Sequence, residues 1–375
     1  MGRKPESNRI GWGGLGIRWR ELGLERVVGS VGSGPLAEAN ALIASLSKRE
    51  IPSLYGLRGV AAIVVVVYHY CIDWKVGDFP GYYSVTLFFE LSGLLITWLM
   101  LREIDASGRV DRKQFYIRRS LRLFPVFYVV WGICRMAGPF AGSWAYLLYL
   151  GDYYTAVTGH YSILTSAWSL GVEEKFYLIW PQVVVRAGLK AMTKILVAIL
   201  ILEPVYRWVL TLAGHEYYTH FAFETNLDPI VLGCLIAVLA KRGWAPPKWM
   251  LHPVSVVAAL AIGVVFWRSA ELVTYVLGLA LIYVVCKPPR FLNNPITQYL
   301  GLISYSLYLC HEYTSNVVWP RLFGQVHRLP PLPGIMLEIL LAIAGATLLH
   351  YAIERPFLRL KDRFHPRGAR LSTAV

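Results

Sequence analysis

Residues 54–70 read LYGLRGVAAIVVVVYHY, an apolar stretch with an arginine near its start, Arg58, and a histidine near its end, His69. Eleven residues of α-helix return to within about 20° of the starting direction and rise by roughly 16 Å, so both side chains lie on one face. An ionisable side chain deep in an apolar helix is costly and usually has a function. The structural alternative is an interfacial arginine and a histidine that only hydrogen-bonds a neighbouring helix.

The composition of the 375-residue chain excludes an ordinary soluble domain. Hydrophobic residues make up 56% and charged residues 16% of the sequence, and the mean hydropathy is +0.47. The sequence therefore predicts an all-α, polytopic membrane protein with about ten transmembrane helices, each long enough for a bilayer of about 30 Å. The predicted spans are residues 57–75, 84–101, 122–139, 173–191, 193–212, 227–240, 252–268, 271–287, 301–318 and 333–353.

The basic residues predict the orientation of these helices. Thirty of the 37 Lys and Arg residues fall in the N-terminal arm, the tail and alternate connections. Under the positive-inside rule, both termini and these basic loops are cytoplasmic. The net charge of +14 then reflects topology and contact with anionic lipid rather than nucleic acid. We expect a multi-pass protein of the cytoplasmic (plasma) membrane.

Outside the predicted spans, residues 1–50 form a basic cytoplasmic arm, for which we expect disorder or a position on the membrane surface. This arm contains no long apolar run, so no cleavable signal peptide is expected. Residues 361–375 form a basic cytoplasmic tail. The five cysteines lack metal-type spacing, and the sequence predicts neither a metal site nor a disulfide framework.

Six motifs follow one another in the membrane part of the chain. They are LYGLRGVAAIVVVVYHY (54–70), LFFELSGLLITWL (87–99), RRSLRLFPVFYVVW (118–131), SAWSLGVEEKFYLIWP (166–181), ISYSLYLCHE (303–312) and LHYAIERPFLRL (349–360). Their order and spacing resemble the acyltransferase 3 family of integral membrane O-acyltransferases. The resemblance covers residues 51–360, the expected transmembrane domain. The chain departs from the usual pattern at Thr86, Glu90, Leu94, Ser166 and Asn226.

The resemblance implies an enzyme with ten membrane helices. Such an enzyme moves an acyl group, usually acetyl, from cytoplasmic acyl-CoA to a hydroxyl of a sugar or another acceptor. Relatives modify cell-envelope carbohydrates and lipid-linked glycans. The expected partners are therefore acyl-CoA as co-substrate, a glycan acceptor and the lipid bilayer, with no bound cofactor.

Acyl transfer to a hydroxyl requires a base, and His69 suits this role because imidazole titrates near neutral pH. An acyl-histidine relay is the alternative mechanism. Asp73 lies four residues further on, on the same helical face, where it could orient the ring. A solvated loop aspartate is an equally good interpretation of Asp73.

Arg119 and Arg122 form an R-x-x-R pair at the predicted cytoplasmic end of the third span. Two guanidinium groups on one helical face suit phosphates. Ordinary positive-inside charge is the alternative, and the family motif favours binding of the CoA phosphates with the help of Arg58.

Glu173 opens the fourth span, and we predict that it lies near the outer boundary and takes part in catalysis. Tyr177 shares its face, and Glu174 is a weaker candidate because Lys175 could neutralise it. Acidic residues that merely stabilise a helix N-terminus are the alternative.

His311 and Tyr308 lie in the ninth span, and we expect them to converge with His69. Asp228, at the start of the sixth span, is a further candidate for acceptor binding. Hydrogen bonding between helices is the structural alternative for all three residues.

Two other classes of protein fit the spans. A secondary transporter would also place charges in the membrane, although no internal repeat is apparent. A non-catalytic membrane scaffold is the other alternative.

Overall fold

A computed structural model describes residues 40–48, 51–77, 79–324, 330–361 and 364. These residues form helices and connecting turns, with no strand among them. The predicted all-α class is therefore confirmed. The helices are α1 Ala41–Leu46, α2 Pro52–Asp73, α3 Ser84–Ser107, α4 Arg112–Ala137, α5 Ser143–Leu147, α6 Gly151–Thr158, α7 Trp168–Arg186, α8 Leu189–Leu212, α9 Glu216–Phe221, α10 Asp228–Lys241, α11 Pro253–Val265, α12 Ala270–Cys286, α13 Pro295–Leu302, α14 Ser304–Tyr313, α15 Trp319–Phe323, α16 Pro331–Leu349 and α17 Arg355–Lys361.

Five described helical segments are long and apolar enough to cross a membrane: Pro52–Asp73, Pro80–Ser107, Arg112–Ala137, Leu189–Leu212 and Pro331–Lys361. Each of the ten predicted spans overlaps a helix, but α10, α11 and α12 are only 14, 13 and 17 residues long. The ninth predicted span is divided among several short helical segments. The chain is a multi-pass integral membrane protein, whereas the count of ten and the orientation stay predictions.

Helix α2 packs closely against α13 through glycine. A Cβ on Gly56 would lie 1.9 Å from the carbonyl oxygen of Leu292, just before α13. A Cβ on Gly301 would lie 2.0 Å from that of Tyr55. Small residues of this kind allow helix backbones to touch in a membrane. This contact brings the start of α14 against the face of α2 that carries Arg58.

Helices α3 and α10 meet through a second pair of glycines. A Cβ on Gly93 would lie 1.9 Å from the carbonyl oxygen of Ile230, and one on Gly233 would lie 2.0 Å from that of Glu90. Each helix thus supplies a glycine at the point where the other backbone approaches. The two backbones touch with no side chain between them.

Part of the N-terminal arm is also packed against the membrane helices. Asn40 caps α1 by accepting hydrogen bonds from the backbone N–H groups of Leu42 and Ile43. The side chains of Leu42 and Leu46 are buried. In this segment the apolar face packs against the helices. Residues 1–39, 49 and 50 lie outside the described residues, and the disordered or interfacial arm stays a prediction.

Candidate active site

Hydrogen bonds fix which nitrogen of His69 carries the proton. His69 Nδ1 lies 2.9 Å from the carbonyl oxygen of Val65, one helical turn earlier, and 3.3 Å from Nε2 of His311. A carbonyl oxygen only accepts, so Nδ1 is the N–H nitrogen. In the neutral ring, Nε2 of His69 therefore carries a lone pair, as a general base requires.

The tautomer of His311 is consistent with this assignment. Its Nδ1 lies 2.7 Å from the carbonyl oxygen of Tyr308 and donates to it. Nε2 of His311 is then free to accept the hydrogen bond from His69. Tyr70 holds α14 in place, because its hydroxyl donates to the carbonyl oxygen of His311 at 3.0 Å. The expected convergence of His69 and His311 is present, and the His311 side chain is fully buried.

Glu312, which follows His311 in the ninth predicted span, lies beside this pair. Its carboxylate accepts the backbone N–H of Ser166, with N···O distances of 3.1 and 3.0 Å. Ser166, one of the departures from the family pattern, also brings its hydroxyl 3.4 Å from Nε2 of His311. Ligand atoms of His69, His311 and Glu312 lie within 4.8 Å of one another, the spacing of a metal site. The hydrogen bond to Val65 leaves His69 Nδ1 protonated, so that only Nε2 of this ring could ligate a metal.

Asp73 does not orient the ring of His69. Its side chain is exposed at the end of α2 and accepts a hydrogen bond from the hydroxyl of Ser315 at 2.7 Å. The spacing of four residues does put both side chains on one face. The N–H of His69 nevertheless finds its partners in Val65 and His311, and these contacts favour the alternative interpretation of Asp73 as a solvated aspartate.

Arg58 lies near the N-terminal start of α2, where the close packing of α2 and α13 brings Ser304 to it. The guanidinium group donates to the hydroxyl of Ser304 at 3.4 Å, and it lies 5.8 Å from the centre of the Phe88 ring. These contacts hold one face of the cation. They leave it without a carboxylate within ion-pair distance among the described residues.

Arg119 is engaged by three residues of α7. Its guanidinium lies 3.3 Å from a carboxylate oxygen of Glu173, 3.9 Å from one of Glu174 and 3.6 Å from the centre of the Tyr177 ring. Ser92 on α3 donates to the other oxygen of Glu173 at 2.6 Å. The four charged and aromatic groups thus form one buried cluster between α4 and α7.

This cluster corrects the predicted position of Glu173. Helices α4 and α7 are antiparallel, because Tyr116 donates to the carbonyl oxygen of Leu178 while Arg119 meets Glu173. Glu173 therefore lies beside Arg119, inside the helix bundle, and not at the outer boundary. Lys175 does not neutralise Glu174 either, because its ammonium group is 2.7 Å from a carboxylate oxygen of Asp152.

The described residues enclose two adjoining cavities around the arginines. The inner cavity has a volume of about 60 Å³ and the outer cavity one of about 160 Å³. Both are lined by Arg58, Ser92, Arg119 and Arg122, so these residues form the boundary between them. Among the described residues, no ion pair or hydrogen bond engages Arg122, and its guanidinium is available to an anion.

Tyr308 connects the inner cavity to the histidine pair. Its side chain lines the cavity together with Ser169, and the two hydroxyl oxygens are 2.7 Å apart. Its backbone carbonyl is the group that accepts from His311. His69 itself lines neither cavity. Tyr308 is linked to it only through His311.

Asp228 belongs to a different cluster. Its carboxylate lies 2.6 Å from the guanidinium of Arg207 and accepts from the hydroxyl of Thr274 at 3.0 Å. Arg207 also pairs with Glu203, one turn earlier on α8. The sequence reasoning missed this cluster, although a Glu and an Arg four residues apart in an apolar span are the signal that would have revealed it.

Comparison with known proteins agrees with this architecture. A family model described as an acyltransferase domain, acyltransferase 3, matches residues 51–351. No solved structure matches the chain. The resemblance inferred from the six sequence motifs is confirmed.

Three curated bacterial relatives carry related names. A protein of Bacillus subtilis, provisionally named a peptidoglycan O-acetyltransferase, is 28% identical over 359 residues, 82% of this chain and 55% of that protein. A provisionally named O-acetyltransferase of Staphylococcus aureus (strain COL) is 26% identical over 355 residues, 82% of this chain and 57% of that protein. The peptidoglycan O-acetyltransferase of Listeria monocytogenes is 26% identical over 322 residues, 74% of this chain and 51% of that protein.

The chain spans about half the length of these relatives. The family match covers most of the 375 residues. This chain is therefore a member of the acyltransferase 3 family.

Proposed function

We propose that this protein is a membrane-bound O-acyltransferase that moves an acyl group, most simply acetyl, from acyl-CoA to a hydroxyl of a cell-envelope glycan. The observation that carries the proposal is the orientation of His69. Its Nδ1 is committed to Val65 and His311, so Nε2 holds the lone pair that a general base needs. The inner cavity, which Arg58, Arg119 and Arg122 line, also includes Tyr308, whose carbonyl oxygen accepts a hydrogen bond from His311. This cationic cavity supports a donor that carries phosphates.

The proposed reaction is a single displacement. Nε2 of His69 takes the proton of the acceptor hydroxyl while the hydroxyl oxygen attacks the thioester carbonyl. The carbon–sulfur bond then breaks, and the departing CoA thiolate receives that proton from His69. When the ring is charged, its Nδ1–H still donates to Val65 and His311, which stabilises the imidazolium.

The arginines give the donor its place in this proposal. Arg58 and Arg122 lie free of carboxylates at the boundary of the two cavities and suit the diphosphate of CoA. Arg58 and His69 are eleven residues apart on one face of α2, or roughly 16 Å. An extended pantetheine arm covers a distance of this order, so a donor held at Arg58 would bring its thioester close to His69.

The acceptor class follows from the relatives. Two of those named above carry peptidoglycan O-acetyltransferase in their names, and peptidoglycan or a related envelope glycan is the acceptor that we propose for this chain. The loop charges support a route in which the donor enters from the cytoplasm and the acceptor from the outer side. The protein would then pass only the acyl group across the membrane.

Isotope transfer tests the proposal. The purified full chain in lipid nanodiscs is incubated with ¹³C-acetyl-CoA and purified glycan strands from the cell envelope, and the glycans are analysed by mass spectrometry. We expect labelled O-acetyl esters with the wild type and none without the protein. Release of CoA with no labelled glycan would refute the proposed acceptor, and the absence of both would refute the acyl-CoA donor.

A further inference from the structure

The wall of the outer cavity includes a segment that lies upstream of the family match. The match begins at residue 51, whereas Leu46 and Lys48 line the outer cavity. Leu46 is the last residue of α1, and Lys48 lies two residues beyond it. Residues from outside the family match therefore form part of the wall of the outer cavity.

Two hydrogen bonds hold this segment against the membrane helices. The indole N–H of Trp98 on α3 donates to the carbonyl oxygen of Leu46 at 2.8 Å. The side-chain amide of Asn40 donates to the carbonyl oxygen of Trp244 at 2.7 Å. Because Leu42 and Leu46 are buried as well, the segment has a defined position, and the exposed Lys48 lines the outer cavity.

The outer cavity is strongly cationic. Lys48 and Arg102 line only the outer cavity. Arg58, Arg119 and Arg122 line both cavities. No carboxylate is among the described residues that line the outer cavity, whereas Glu173 lines the inner one. Neither Lys48 nor Arg102 forms a salt bridge within the described part of the chain. The remaining wall is mostly apolar and includes the indole of Trp98.

We propose that the outer cavity binds the nucleotide end of the donor, and that Lys48 is a specificity-determining residue for the 3′-phosphate of CoA. This inference rests on the proposed function, because it names a subsite for the acyl-CoA donor. The diphosphate lies at the shared arginines, so the nucleotide extends away from His69. Lys48 and Arg102 are the cations on that side, and the apolar wall offers a surface for the adenine.

Binding measurements with truncated donors test this assignment. Isothermal titration with the full chain in phosphatidylcholine nanodiscs compares CoA with 3′-dephospho-CoA, for the wild type and for Lys48→Ala. We expect Lys48→Ala to weaken CoA about tenfold, the loss of one charge-assisted hydrogen bond, and to change 3′-dephospho-CoA by much less. Lys48→Arg should keep most of the affinity. Lys190→Ala removes an exposed lysine that lines neither cavity and serves as the matched control.

The outcomes separate the two proposals. If the wild type binds no CoA, the proposed donor is wrong. If the wild type binds CoA and Lys48→Ala binds it equally well, or loses both ligands equally, only the assignment of Lys48 falls. A lipid headgroup offers the same phosphate chemistry, so the titration is repeated with phosphatidylglycerol in the nanodiscs. Loss of CoA binding on this addition would identify the cavity as a lipid site and overturn the inference.

Discussion

Replacement of the two histidines should affect catalysis very unequally. His69→Ala removes the only proposed base, and loss of a general base typically lowers the rate by about 10² to 10⁴. His311→Gln removes one of two acceptors of the His69 N–H, while the carbonyl oxygen of Val65 remains at 2.9 Å. One neutral hydrogen bond contributes about 1 kcal/mol, which corresponds to a rate loss of about fivefold.

The assay follows CoA release from acetyl-CoA in nanodiscs, with a glycan acceptor present and with initial rates measured over a range of donor concentrations. Size-exclusion chromatography checks that each variant is folded. His215→Gln, a change at an exposed histidine between α8 and α9, serves as the control and should leave the rate unchanged. Near-normal turnover by folded His69→Ala would remove His69 from the mechanism. A loss for His311→Gln as large as that for His69→Ala would show that Val65 alone does not hold the ring.

Three further outcomes are expected. Arg122→Ala should raise the KM for acyl-CoA with little change in kcat. Arg122→Lys should restore the wild-type KM only partly because lysine lacks the bidentate fork. An unchanged KM would mean that this arginine contributes only the positive charge that sets the membrane topology. Gly93→Ala should destabilise the protein by at least about 1–3 kcal/mol, seen as a lower Tm in detergent, because the new methyl group would overlap the carbonyl of Ile230. Gly132→Ala, at a helical glycine facing open space, is its control, and equal Tm values would contradict the packing argument. On a background without the five native cysteines, a cysteine at the exposed Thr158 should react with an impermeant reagent in intact cells and one at the exposed Ser107 should not; the reverse pattern would invert the topology.

The sequence was most informative about candidate functional residues that are related by the period of a single helix. Arg58 and His69 could be placed on one face of α2 because a single helical period relates them. His311 could be expected near His69 because a histidine in an apolar helix needs a polar neighbour. The R-x-x-R pair could be proposed as a phosphate-binding pair because two arginines three residues apart share one helical face. Roles for all these residues stay predictions.

Contacts between helices could not be predicted from the periodicity within each helix. The pairing of Arg119 with Glu173 depends on the relative depth of α4 and α7, and no pattern within either helix encodes that depth. Charges of opposite sign in separate spans were therefore assigned to opposite sides of the membrane, although they touch. The partner of Asp228 was missed for a related reason, because Arg207 lies on another helix and had not been recognised as a buried charge.

The glycine contacts have a consequence for motion. Where backbone touches backbone, no side chain can rotate out of the way, so we expect α3 and α10 to move together. Helix α2 is joined to α13 in the same manner. Helix α4 contacts its neighbours through side chains, its only glycine faces open space, and Pro125 interrupts its hydrogen bonding. We therefore expect that admission of a bulky donor displaces α4, and that Arg122 travels with it while Arg58 stays in place.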